Sequence, residues 1–201
     1  MEAAWNMVWE FQEPAACIIK HTNPCGAARA TSIHQAYVNA YQADTTSAFG
    51  GIVALNRPVD GQTAQEMAKI FLEVIMAPAF SQEALDILEA KKNIRLIQLE
   101  EPQEDQLVLK KVSGGLLVQT EDRLAESSVA YEVVTEAEPT EDQWKALEFA
   151  WKIVKHVKSN AILVSDATST LGVGAGQMNR VGAANIALDQ AGDKAKGAVL
   201  A

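Results

Sequence analysis

Short apolar runs rich in β-branched residues alternate along the chain with segments of helical periodicity. The runs at 15–19, 51–55 and 94–99 predict buried strands, whereas the spacing at 32–42 and 82–91 predicts helices. Crossover helices between strands of one sheet produce this alternation in α/β proteins. The pattern therefore predicts an α/β fold.

The same criteria predict the remaining elements of the chain. We expect further strands at 73–76, 107–112, 115–119, 131–135 and 161–164, and helices at 63–71, from Thr140 onward and at 179–190. The glycine-rich run 171–176 predicts a turn. A polar, acidic stretch from 120 to 128 is typical of a linker, so we expect two α/β subdomains, residues 1–125 and residues 126–201.

Charge and cysteine content limit the classes of function. The 201 residues carry 17 Lys and Arg against 26 Asp and Glu, a formal net charge of -9. Affinity for nucleic acid comes largely from basic side chains, so we do not expect this acidic chain to bind nucleic acid in general. An anionic ligand would need a local cluster of basic side chains or backbone amides. Two cysteines, Cys17 and Cys25, are too few for a disulfide framework, which favours reduced thiols and a cytoplasmic location.

The two ends of the sequence read as interrupted patterns. The chain opens within a helical pattern around Trp5, and it stops at 197–201, where an apolar strand begins. The first residues lack the basic and apolar regions of a signal peptide, and no window has the length of a membrane span. We expect a piece of a longer protein that is neither secreted nor membrane-bound.

The segment Lys20–Gly26 follows the first predicted strand and is chemically unusual. Loops at strand ends of open α/β sheets commonly carry function. Lys20 and His21 are adjacent, and a neutral imidazole beside a cation suits a general base. The alternative is a surface lysine beside a histidine that only holds the loop. Asn23 and Pro24 predict a turn under either interpretation.

The segment has two sharper interpretations, a zinc site and a nucleophilic cysteine. Zinc deaminases carry a Pro-Cys-x-x-Cys motif with His-x-Glu, but Ala28 replaces the second cysteine and Asn23 replaces the glutamate, so the sequence argues against a zinc site. A nucleophilic pair of Cys25 and His21 is the other alternative, although no third group that would orient the pair is evident.

Two further segments combine small residues with polar ones. The run 44–51 places Phe49 beside Gly50 and Gly51, whose missing side chains permit a close approach to the backbone. The run 171–180 resembles a phosphate loop, but Gln177 stands where the dinucleotide fingerprint needs glycine. What remains is an amide-rich loop that leads into a helix and can receive an anion or a polar ligand.

Taken together, these segments resemble a known family in order and spacing. The matching runs are Lys20–Gly26, Thr46–Ala54, Glu73–Pro78, Asn160–Ile162 and Gly172–Val181. They closely resemble the transformylase domain of bifunctional AICAR transformylase/IMP cyclohydrolase of purine biosynthesis. The resemblance covers nearly the whole chain but only part of that enzyme, because the cyclohydrolase domain and the last stretch of the transformylase domain have no counterpart here.

The resemblance implies a cytidine-deaminase-like, three-layer α/β/α fold with two similar subdomains, the second truncated. It also implies transfer of the formyl group of 10-formyltetrahydrofolate, the co-substrate, to the 5-amino group of AICAR, in a homodimeric enzyme that requires no metal. His21 matches the family's proposed base, Lys20 the cation that stabilises charge, and Asn160 the amide that holds the formyl region.

Further matched positions line the ligands. The resemblance places Phe49, Gly50 and Glu73 around the ribotide or folate, and Arg180 and Val181 on the folate side. Some animal members of the family lack the cysteine of the first motif, which argues against an essential thiol. Two alternatives stay open: a folded fragment that binds ligand or partner without turnover, and a thiol enzyme built on Cys25.

Overall fold

The computed structural model describes residues 1–102, 107–122 and 131–201. Packing divides the chain into two units, one formed by Met1–Glu101 with Thr140–Ala201 and the other by Pro102–Pro139. The predicted boundary between subdomains, at residues 125 and 126, lies outside the described residues, and the partition stays a prediction.

The described residues form helices and strands that alternate as the sequence predicts. The helices are α1 (Glu2–Val8), α2 (Ile33–Ala43), α3 (Gly61–Met67), α4 (Gln82–Glu89), α5 (Glu141–Val154) and α6 (Arg180–Ala191), followed by a 3₁₀ turn at Gly192–Ala195. The strands are β1 (Ala15–Lys20), β2 (Asn23–Arg29), β3 (Gly51–Leu55), β4 (Leu72–Ala77), β5 (Arg95–Gln98), β6 (Leu107–Val112), β7 (Gly115–Thr120), β8 (Ile162–Ser165), β9 (Thr170–Gly174) and β10 (Val199–Leu200).

The larger unit holds two sheets that meet at their edges. The first has the order β2-β1-β3-β4-β5, in which β1 is antiparallel to both neighbours and β3, β4 and β5 are parallel. The second is antiparallel, with the order β10-β8-β9. An antiparallel bridge pairs Ala28 with Ser169, and the Arg29 amide donates to the Thr168 carbonyl at 2.8 Å. Strand β2 therefore adjoins the start of β9.

Helices cover both faces of the first sheet because its central strands are apolar on both sides. Ile18 and Val53 belong to a core that includes buried residues of α2, α3 and α4. Their sequence neighbours Cys17 and Ala54 belong to a second core, with buried residues of α1 and α5. Successive strand residues point to opposite faces, so β1 and β3 contribute side chains to both cores. The predicted α/β class is confirmed, and the layers follow the order α/β/α.

The larger unit repeats one arrangement twice. The series α1-β1-β2-α2-β3 and α5-β8-β9-α6-β10 have the same order, and the first strand of each is paired antiparallel with the other two. In each series a glycine lets the helix approach the second strand. A Cβ at Gly26 would lie 2.0 Å from the Ala40 carbonyl oxygen, and one at Gly172 would lie 1.9 Å from that of Ala187.

These close approaches make the glycines essential to packing. We expect Gly26→Ala to destabilise the protein by about 3 kcal/mol, the upper end of the usual cost of overpacking, because the atom in the way is a backbone carbonyl. Thermal unfolding should then occur about 6–12 °C lower. Gly115→Ala is the matched control, since a Cβ there meets nothing within 4 Å. Equal melting temperatures for both variants would show that the helix can shift at no cost.

The structure corrects three predictions from the sequence. Residues 171–174 belong to β9 rather than to a turn, because glycines at 172 and 174 let α6 pack directly on the strand. Asn23 and Pro24 begin β2, and the turn before it consists of His21 and Thr22. The run 131–135 forms no strand: its β propensity alone is not enough without burial, and Val134 is 85% exposed.

The smaller unit contains the hairpin of β6 and β7. Its register runs from Leu107 opposite Thr120 to Val112 opposite Gly115, which confirms both predicted strands.

In the larger unit, Ser32 caps α2 and Thr140 forms a capping box with Gln143 at the start of α5, so both predicted helix starts are confirmed. Across the described parts of the chain, no helix has the length and hydropathy needed to cross a membrane.

Candidate active site

The chemically unusual segments meet at one end of the sheets because of strand direction. Strand β1 ends where the antiparallel strand β3 begins, with Ile19 opposite Ile52. The parallel strand β4 begins at the same end, with Gly51 opposite Leu72. Lys20, at the end of β1, therefore lies near the start of the strand that carries Glu73.

His21 lies in a tight turn that presents it to solvent. Lys20 pairs with Asn23, which leaves His21 and Thr22 as a two-residue hairpin loop. Both loop residues have positive φ, 51° at His21 and 66° at Thr22, and both are exposed. Such loops normally use Asn-Gly, because side chains disfavour positive φ. The backbone conformation here is strained at the two residues that precede β2.

Lys20 connects this turn to the second motif. Its ammonium Nζ donates a hydrogen bond to the carbonyl oxygen of Phe49 at 2.9 Å. Phe49 is 60% exposed, and its ring lies 5.7 Å from that of Phe71. Gly50 has φ of 70°, and its amide donates to the Phe71 carbonyl at 2.8 Å. An aromatic ring held in solvent beside a positive-φ glycine is a ready surface for a planar ligand.

Asn160 lies at the corresponding end of the second sheet. Its side-chain Nδ2 donates to the Gln177 carbonyl at 2.8 Å, and the two backbones exchange hydrogen bonds of 3.1 and 3.2 Å. The neighbouring Gly176 amide donates to the carbonyl of Lys158, two residues before Asn160, at 2.7 Å. The Lys158 amide in turn donates to the side-chain Oδ1 of Asn23 at 3.0 Å. Hydrogen bonds thus connect the segments that contain Asn160 and Gln177 to the first motif, Lys20–Gly26.

The remaining candidates occupy the margin of this cluster. Glu73 forms an ion pair with Arg95 on β5, with 2.8 Å between the carboxylate and guanidinium atoms. Arg180 and Val181 form the first turn of α6, and Val181 is 70% exposed.

Sequence reasoning missed several residues that organise the cluster. Asn23 was expected only as a turn residue, yet its side chain joins the two sheets. Phe71 and Arg95 lie outside the chemically unusual segments, and they enter only because neighbouring strands place them beside Phe49 and Glu73. In the sequence, only the charge opposite to that of Glu73 indicated that Arg95 could pair with it.

A cavity of about 280 Å³ lies beside this cluster, at the loops that precede β4 and β5. Phe71 forms part of its wall, and so do the basic side chains of Lys69, Lys91 and Lys92. Lys69 is already paired with Glu66 at 2.6 Å, so Lys91 and Lys92 are the cavity's candidates for contact with an anionic ligand.

Cys25 is poorly suited to nucleophilic or metal chemistry. It is the extra residue of a β-bulge in β2, is 8% exposed, and its Sγ lies 3.6 Å from the Ser47 carbonyl. Burial, assisted by the negative charge of Asp44, raises the pKa of the Cys25 thiol to about 11. Nucleophilic attack and metal binding both require the thiolate, so the thiol is almost entirely in the unreactive form at neutral pH.

We therefore expect Cys25→Ser to keep activity within about threefold of the parent, because the smaller hydroxyl fits where the thiol lies and can donate to the Ser47 carbonyl. The measurement is kcat, in a full-length context, for the reaction that the family resemblance implies. The thiol alternative would return if this variant were inactive and the parent formed a covalent thiol adduct detectable by mass spectrometry.

Metal-ligating side chains do not converge around this cluster. Within the described ranges, no group of three or more His, Cys, Asp or Glu side chains has the geometry to hold a metal ion.

Comparisons with known proteins identify the family of the chain. The family model described as AICARFT/IMPCHase bienzyme matches residues 1–190. The chain is similar to proteins named bifunctional purine biosynthesis protein PurH. It is 57% identical to that of Lysinibacillus sphaericus over 201 residues, which are 99% of this chain and 40% of the relative.

Two other relatives show the same extent of similarity. The chain is 58% identical to the Listeria welshimeri protein over 201 residues and 53% identical to that of Bacillus cereus over 202 residues, in each case 100% of this chain and 40% of the relative. The chain thus spans about 40% of the length of the curated relatives it matches. Since the family model covers most of the chain, the chain belongs to the AICARFT/IMPCHase bienzyme family.

Proposed function

We propose that this chain carries the formyl-transfer site of a bifunctional purine-biosynthesis enzyme, with AICAR and 10-formyltetrahydrofolate as substrates. The observation that carries the proposal is the convergence of three separated motifs at one sheet end: Lys20 bonded to Phe49, and Asn23 bonded to the segment that holds Asn160. Family membership supplies the reaction class.

The chemistry assigns a role to each side chain. The 5-amino group of AICAR is a weak nucleophile, because its lone pair delocalises into the imidazole and carboxamide. In the proposed reaction its nitrogen attacks the formyl carbon, the bond from that carbon to N10 of the folate breaks, and N10 takes up a proton. His21 is the base that removes the proton from the amine, which its exposed position on the turn permits.

Developing negative charge on the formyl oxygen needs donors nearby. Lys20 carries a positive charge next to His21, and the Asn160 amide retains one N–H after its bond to Gln177. Phe49 and Gly50 offer a flat surface for the ring of one substrate, and the basic cavity beside Phe71 receives an anionic part of the substrates. Arg180 and Val181 border the folate at the start of α6.

The internal repeat also supports a finer statement of the fold. We assign the larger unit to the cytidine-deaminase-like class with two similar subdomains, on the basis of the duplicated order of helices and strands. The active enzyme is proposed to be a homodimer, as the family resemblance implies.

The experiment that tests the function is a coupled measurement of both products. A full-length protein containing these 201 residues should form tetrahydrofolate and formylated AICAR in equal amounts, and only when both substrates are present. Addition of EDTA should leave the rate unchanged, because the proposed roles involve no metal ligand. Absence of AICAR-dependent tetrahydrofolate formation would reject the function, and loss of activity that zinc restores would reject the metal-free mechanism.

A further inference from the structure

The turn at His21 and Thr22 carries strain that ordinary turn chemistry would avoid. Both residues lie in the left-handed region, at φ of 51° and 66°. In the described parts of the chain they are the only residues other than glycine with positive φ. Thr22 is β-branched, and a β-branched residue in this conformation is a true outlier. A glycine at position 22 would remove much of this cost, so strain at an active-site turn is a reason to look for a function.

Side chains around the turn fix it in this conformation. The Thr22 hydroxyl donates to the His21 carbonyl at 2.6 Å. The Asn23 side-chain Nδ2 lies 3.4 Å from the same carbonyl, while its Oδ1 accepts from the Lys158 amide at 3.0 Å. Two side chains thus converge on the carbonyl of the residue that carries the imidazole, and one of them is anchored outside the hairpin.

The anchor is the segment that holds the other proposed catalytic group. Lys158 is two residues before Asn160, and the Lys158 carbonyl accepts from Gly176 while Asn160 is paired with Gln177. Asn23 therefore ties the His21 turn of the first repeat to the paired segment of the second. The bridge of Ala28 with Ser169 joins the two sheets further along β2, and the hydrogen bond from Lys158 to Asn23 adds a link directly beside the His21 turn.

We propose that Thr22 and Asn23 are positioning residues, which hold the His21 imidazole at a fixed place relative to Asn160 at the cost of a strained turn. This inference rests on the proposed function, because it assigns His21 the role of base. The two residues act through His21 and need not touch substrate. Misplacement of a catalytic group by about 1 Å can lower the rate on the order of 10²-fold, so the loss should appear in kcat.

Thr22→Gly separates positioning from stability. Glycine adopts positive φ freely and also removes the hydroxyl that bonds to the His21 carbonyl. We expect the variant to melt about 2–4 °C higher than the parent while its kcat falls about 10-fold or more and its KM values stay within about twofold. Thr31→Gly is the matched control: it is an exposed threonine without positive φ, so glycine there should lower the melting temperature and leave kcat unchanged.

Variants of Asn23 test the positioning role a second time, independently of Thr22. Asn23→Ala removes the acceptor for the Lys158 amide, and we expect kcat to fall about 10–100-fold with little change in KM. Asn23→Asp keeps the acceptor for the Lys158 amide but loses the donor that faces the His21 carbonyl, so it should recover part of the lost kcat. If the parent transfers formyl groups but Thr22→Gly and Asn23→Ala both retain its kcat, the positioning role is wrong and the proposed function stands. If the parent itself shows no transfer, the proposed function fails instead.

Discussion

Replacement of His21 or Lys20 by alanine should lower formyl transfer by about 10²–10⁴-fold while the fold stays intact. The size follows from the usual contribution of a positioned acid-base group. Both side chains lie at a sheet end, His21 exposed and Lys20 half-buried with its ammonium bonded to the Phe49 carbonyl, so neither substitution empties a site in the core. The measurement is kcat in a full-length context, with circular dichroism and the melting temperature as checks on folding.

Lys194→Ala is the matched control for the charge removed at Lys20. Lys194 is exposed in the 3₁₀ turn after α6, at the end of that helix opposite Arg180. Its loss should change kcat by less than a factor of two. His21→Ala or Lys20→Ala enzymes within a factor of two of the parent would remove these residues from the mechanism.

The second large effect concerns the 201 residues taken alone. We expect them to show negligible turnover of AICAR and 10-formyltetrahydrofolate, because they span about 40% of the length of relatives that carry the whole enzyme. Two anionic substrates must be held together in a chain of net charge -9. Alignment of the reactants contributes about 7–11 kcal/mol to lowering the barrier, and a pocket open on one side loses much of it.

The test compares the isolated chain with a chimera that adds the remaining segments of the Listeria welshimeri relative, which is 58% identical over the shared region. Turnover should appear only in the chimera. Steady-state turnover by the isolated chain at a rate near that of the chimera would contradict the expectation and show that these residues suffice.

Local patterns predicted most elements of this fold because the elements are simple. Buried strands such as β1 and β3 are continuous apolar runs, and α2 and α5 start at good N-cap residues. The strand β9 was mistaken for a turn because its glycines serve packing against α6, and a local pattern carries no information about a distant helix. The strand predicted at 131–135 is wrong because the prediction used β propensity, and propensity alone does not produce a strand.

The candidate site was predicted in part. Segments of unusual chemistry marked His21 and Phe49, and the family resemblance added Asn160, but their meeting at one sheet end follows only from strand order and direction. The bond between Asn23 and Lys158 spans 135 residues, and no local spacing predicts it. Strain at Thr22 was equally hidden, because threonine is an ordinary residue in sequence and becomes unusual only at a φ of 66°.

A map of ligand contacts on the folded chain tests the central claim most directly. Amide resonances of the 15N-labelled protein can be followed while AICAR is added, then a non-reactive folate analogue. We expect the shifts to concentrate at residues 20–23, 49–51, 158–160 and 176–181, at one end of the two sheets, and at the cavity residues 68–71 and 91–94 beside them. Shifts confined to another region, such as the hairpin of β6 and β7, or no shifts at saturating ligand, would contradict a formyl-transfer site at this sheet end.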